Sequence, residues 1–114
     1  MAIDCTDESN NLRRIIISGR LDVPGTEGIS AKFAELTATT ERRVVVDLTA
    51  VNFLASVGIR ALIINAKALQ SRGSKMVLLV GDNIAAVRTL EATGIDALIP
   101  IFDDSAEATR AALA

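Results

Sequence analysis

With 114 residues, half of them hydrophobic and only 3% aromatic, the chain can bury one core, built from Val, Ile, Leu and Ala. Its net charge of −2 lacks the basic footprint of a nucleic-acid binder, and no apolar run approaches the ~20 residues that span a bilayer. Histidine is absent and there is one cysteine, which excludes a Ser-His-Asp triad, a histidine-containing metal site and a zinc–cysteine cluster.

The opening MAIDCTDESNN is acidic and polar, the opposite of a secretory leader, and Cys5 has no internal disulfide partner. Both point to a cytoplasmic protein. Ala2 to Thr6 reads as an edge strand, turned through the polar Asp7-Glu8-Ser9-Asn10-Asn11 into a strand over Leu12 to Ser18 that Gly19 closes. After a Pro24-Gly25 break, Thr26 to Thr37 places Ile29, Phe33 and Leu36 at helical spacing. Arg43 to Leu48 is a second apolar strand. A short apolar turn leads from it to Ala55-Ser56-Val57-Gly58 and a helix over Ser56 to Ser71, whose apolar stripe is Ile59, Leu62, Ile63, Ala66 and Leu69. Gly73 stops that helix.

Lys75 to Val80 is a short buried strand. Asp82 or Asn83 then caps a helix carrying Val87, Leu90 and Glu91 and ending at Gly94. A final strand is expected over Ala97 to Ile101, followed by an Ala-rich helix over Asp103 to Ala114. The order β-β-α-β-α-β-α-β-α, with unalternating apolar strands, predicts one domain over residues 1–114. Its fold class is an α/β sandwich with a mixed, mainly parallel sheet covered by helices. Crossover geometry lines the strand-to-helix junctions along one sheet edge, and Ser56 belongs to that edge.

Ser56 is the residue on which a functional reading turns. A helix begins with unsatisfied N–H groups and partial positive charge. A hydroxyl there is either a plain N-cap or a place where phosphate is welcome. No G-x-G-x-x-G or G-x-x-x-x-G-K-[ST] loop occurs, and no cofactor is expected. Asp47 ends a strand as a receiver-domain phosphoacceptor does, yet the acidic pair and late lysine of a receiver are not convincing, so it reads as loop-shaping. Cys5, in a polar segment without a phosphate cradle, reads as a free thiol.

Taken together these segments resemble the STAS domain of bacterial anti-sigma factor antagonists. Gly19-Arg20-Leu21-Asp22 is similar to the family's G-x-L-D, and Val46-Asp47-Leu48-Thr49 with Val51 and Phe53 to its D-L-S-x-V-x-F. Ser56, Gly58 and Ile59 fall on its D-S-S-G-L. Arg72-Gly73 with Val77-Leu78-Leu79, and Leu90 to Ile95, resemble its later R-G-x-x-L-x-L and L-x-x-x-G-L. The resemblance implies a non-catalytic switch. It would bind an anti-sigma factor that is a serine protein kinase, be released by phosphorylation at Ser56, and be restored by a phosphatase. The implied partner surface takes in Asp22, Ala55, Ser56, Val57, Gly58 and Arg60. The chain departs from the pattern at Ala55, where the family has aspartate, and at Val57, where it has a second Ser or Thr. The missing aspartate at Ala55 favours an alternative: a STAS scaffold or accessory module for a transporter, lipid-handling or sensory complex without sigma control. Asp22 before Pro-Gly also has an ordinary reading as a turn residue, and Arg60 as a solvated surface arginine.

Overall fold

The computed structural model describes residues 2–114. Five strands, β1 (Ala2–Asp7), β2 (Leu12–Leu21), β3 (Arg43–Leu54), β4 (Met76–Leu79) and β5 (Ile101–Phe102), form one sheet in the order β1-β2-β3-β4-β5. β1 runs antiparallel to β2, and every other pair is parallel. Among the described residues four helices are interleaved: α1 (Val23–Ala38), α2 (Ser56–Ser71), α3 (Ile84–Thr93) and α4 (Ser105–Leu113). The expected α/β architecture and element order are therefore present.

Val44, Val45 and Val46 are all buried, because both faces of the sheet are covered. On one face Ile15, Ile17, Val44, Val46 and Leu78 meet Ile29 and Phe33 of α1, Ile59, Leu62 and Leu69 of α2, and Leu90 of α3. On the other, Leu12, Val45, Val77 and Leu79 meet Ala108, Ala111 and Ala112 of α4, with Phe102 of β5 beside them. The two large helices are keyed together by a buried hydrogen bond from the Thr37 hydroxyl to Asn65 Oδ1, 2.8 Å long. The hairpin is fastened from outside. Arg13 pairs with Asp7 at 2.6 Å and donates to the Leu36 carbonyl of α1 at 2.9 Å. That guanidinium holds the Asp7 carboxyl below the usual carboxylate range.

Several boundaries differ from the sequence expectation, each for a local reason. β2 does not stop at Gly19. The glycine takes φ +93° and the strand runs on to Leu21 through a register shift against β3, which only a residue without Cβ accommodates cheaply. β3 likewise extends past Leu48 to Leu54. Its paired residues step from Asp47 to Ala50 and from Val51 to Phe53 while those of β2 step only from Ile16 to Ser18 and from Gly19 to Arg20, so β3 carries the extra residues of two bulges. α1 starts before the Pro24-Gly25 pair, because proline is at home in a first turn whose N–H groups have no partner. The segment expected as a strand from Ala97 begins instead as a 3-10 turn over Ile95–Ala97. Ile95 and Ile99 are both buried and bonded through Ile99 N to Ile95 O at 2.9 Å, a helical spacing, and β5 is confined to Ile101–Phe102.

Candidate functional site

Because β2 to β5 are parallel and each leads into a helix, four helix N-termini line one edge of the sheet. In three of them a side chain accepts a first-turn amide. Asp22 Oδ1 accepts from Gly25 N at 2.9 Å, Asn83 Oδ1 from Ala86 N at 3.3 Å, and Asp104 Oδ2 from Glu107 N at 2.9 Å. The fourth is α2, whose N-cap is Ala55, extended at φ −91°, ψ 168° and without a side-chain acceptor. Ser56 is thus not the N-cap but the first helical residue, and it is exposed. The capping reading is corrected: the extended backbone that a cap needs is on Ala55, and Ser56 caps nothing.

The junction is fixed by backbone. Leu21 and Leu54 are register partners at the ends of β2 and β3, and Ala55 N donates to Leu21 O at 3.0 Å. This bond draws the start of α1 and the start of α2 to the same spot. Asp22 is half-buried there. The Gly25 amide, then the Arg20 guanidinium at 3.2 Å, hold its carboxyl below the usual range. Asp22 is therefore both a helix cap and part of the edge. Val57 is half-buried and Arg60 exposed one turn further along, with no ion-pair partner among the described residues. Gly58 lies beneath the surface: a Cβ on it would stand 2.8 Å from Leu21 Cβ and 3.0 Å from Leu54 Cδ1. The close approach that requires glycine here is between α2 and β2.

Two residues of this edge escaped the sequence reading as surface features. Val23 is 56% exposed and Phe53 42% exposed, and the Arg20 guanidinium sits 4.3 Å above the Phe53 ring, a cation–π contact. Their signal was hidden because both lie within two residues of a core leucine, Leu21 or Leu54: Val23 faces outward as the first residue of α1, and Phe53 follows the second bulge of β3. Asn83 was seen as a cap but not as a brace. Its Nδ2 donates to Leu48 O at 3.0 Å and Val51 O at 2.7 Å, tying the bulge of β3 to α3. Asp47 accepts from the amide and hydroxyl of Thr49, at 2.9 and 2.6 Å, and so shapes that same bulge. Cys5 is half-buried in β1 and burial pushes its thiol pKa up, the opposite of an activated nucleophile. No group of three or more His, Cys, Asp or Glu among the described residues is arranged to hold a metal ion.

The missing cap yields a measurable expectation. Ala55→Asp should give α2 the acceptor that its neighbours have and raise stability by about 0.5–2 kcal/mol. Thermal melts of the two proteins at neutral pH check this. An unchanged or lower melting temperature would mean that the α2 amides are already satisfied.

The protein is thus a small α/β module whose candidate chemistry lies on an open sheet edge where helices begin. Residues 6–108 match the STAS domain, and the chain belongs to that family. Solved structures of similar fold include an anti-sigma factor antagonist from Mycobacterium paratuberculosis, 22% identical with a TM-score of 0.84, covering 99% of this chain and 96% of that one. A STAS-domain anti-sigma-factor antagonist protein from Planctomyces limnophilus is 25% identical with a TM-score of 0.80, covering 96% and 95%. The Bacillus cell fate determinant SpoIIAA in its phosphorylated form is 16% identical with a TM-score of 0.68, covering 96% and 97%. No functionally curated protein matches the sequence. No helix among the described residues is long and apolar enough to cross a membrane.

Proposed function

We propose that this domain is a cytoplasmic, non-catalytic switch. It docks an anti-sigma factor with serine-kinase activity through the edge carrying Asp22, Val23, Phe53, Ala55, Ser56 and Val57, with Gly58 beneath it and Arg60 at its margin. Phosphorylation at Ser56 releases it, and a phosphatase returns it to the binding form. The observation that carries this reading is an exposed serine hydroxyl at the uncapped start of α2, beside exposed apolar side chains. An apolar centre with a polar rim is the anatomy of a docking surface. Phosphate would add about −1.5 to −2 charges. The N-terminus of α2 tolerates that charge, so the fold stays intact while a surface that already holds Asp22 loses affinity through repulsion and desolvation. The switch works by spoiling an interface. The family membership and the phosphorylated relative support this reading.

The test uses the anti-sigma kinase that co-purifies with the native protein, titrated with and without ATP. Ser56→Ala should bind as the wild type does and become insensitive to ATP. Its stability should stay within about 0.5 kcal/mol, since no capping bond is lost. Ser56→Asp should remain folded and bind about tenfold or more weakly, equivalent to about 1.4 kcal/mol. Wild-type affinity in Ser56→Asp, together with no phosphate on Ser56 by mass spectrometry after incubation with the kinase, would overturn the proposal and leave the scaffold reading.

A further inference from the structure

A second surface lies along β5, the outer strand of the sheet on the side opposite β1. A groove of about 610 Å³ runs along β5, between α3 with its following 3-10 turn on one side and the start of α4 on the other. Its apolar wall is Val80, Val87, Ile101 and Phe102, and its carboxylates are Glu91, Asp96, Asp103 and Glu107. Lysine and arginine are absent from the lining. None of the four carboxylates makes an ion pair among the described residues, although the chain carries 12 basic residues. All four are exposed, while Ile101 and Phe102 are half-buried.

The backbone in the groove is also unpaired on one side. β5 bonds to β4 through Pro100 and Phe102, which accept from Leu78 N and Val80 N, each at 2.9 Å. In a parallel ladder the residue between them directs its N–H and C=O away from that partner, so Ile101 offers both groups to the groove. Among the described residues no strand lies beyond β5 in the sheet, and the two-residue length of β5 with its flanking Pro100 and Asp103 limits pairing there to Ile101.

We infer that this groove receives a short, extended, basic segment of a partner protein, which adds beside β5 and alternates lysine or arginine with apolar side chains. Backbone bonds to Ile101 give the alignment, as in strand addition generally. The four carboxylates select positive charge, and the apolar wall takes the alternate side chains. The lining shares no residue with the docking site around Ser56, so the domain has a second contact whose occupancy does not require phosphate.

The probe is a fluorescein-labelled (Lys-Val)₄-Gly peptide followed by anisotropy, with (Glu-Val)₄-Gly as the charge control, on the full-length chain. Saturable binding of the lysine peptide alone, weakening several-fold as salt rises from about 50 to about 200 mM, is expected. Glu91→Lys/Asp103→Lys should lower affinity about tenfold or more. Glu27→Lys/Glu35→Lys, which makes the same change in net charge on exposed positions of α1, should keep it within about twofold. Amide shifts on peptide addition should centre on Ile101. Equal losses in both charge variants, shifts away from β5, or no saturation would overturn the proposal. Concentration-dependent self-association that Glu91→Lys/Asp103→Lys abolishes would also overturn it and assign the groove to a second copy of this chain.

Discussion

Leu62→Ala should cost about 2–5 kcal/mol, the usual range for deleting a buried leucine when the surroundings relax only partly. Leu62 has no exposed surface and belongs to the core that α1, α2 and the sheet share. Gln70→Ala, on the exposed side of the same helix, should stay within about 0.5 kcal/mol. Denaturant melts of the two variants at one temperature measure the difference. Comparable losses would mean that α2 is rotated about its axis, and the placement of Ser56 at the surface would fall with it. Ile63, which the periodicity put on the buried stripe, is only half-buried. Asn65 takes a buried place instead, turned inward by its bonds to Thr37 Oγ1 and the Ala61 carbonyl.

Gly58→Val should cost about 1–3 kcal/mol or more, the toll of overpacking a filled site. The two nearest contacts of an added Cβ are the Leu21 side chain at 2.8 Å and Leu54 Cδ1 at 3.0 Å, with the Leu21 carbonyl behind at 3.1 Å. Leucine side chains yield a little, but backbone does not. Relief must come from sliding the first turn of α2 off β2, which would stretch the Ala55–Leu21 bond and carry Ser56 with it. Lowered melting temperature and weakened docking should therefore appear together. A variant as stable as the wild type would show that this turn has slack.

The sequence made the element order, the sheet type and the limits of α2 legible, because long apolar periodicities and unalternating valines leave few alternatives. It was weaker wherever a boundary depends on tertiary fit. Gly19 looked like a stop and is a bulge, since positive φ serves either purpose. Pro24 looked like a break and is a helix start, since the same fixed φ suits both a turn and a first helical turn. The candidate site shows the same division. Ser56 and Asp22 were found from pattern, and the chain brings their loops together through one backbone bond. Their chemical settings were not readable. That Ser56 does not cap α2 depends on the φ and ψ of Ala55, that Val23 faces outward depends on where α1 begins, and that Phe53 does depends on a bulge of β3 that no local propensity encodes.

Spatial order in this sheet repeats chain order, and this bears on how the molecule assembles. Each βα unit docks beside the one just formed, so contacts on the three-helix face close over short loops and are kinetically inexpensive. The opposite face behaves differently. Leu12, Val45, Val77 and Leu79 come from three strands spread along the chain, and α4 covers them with the small side chains of Ala108, Ala111 and Ala112. Until α4 arrives, an otherwise complete sheet presents a greasy flank to solvent. The aggregation hazard during folding is therefore concentrated on that flank and lasts until α4 docks.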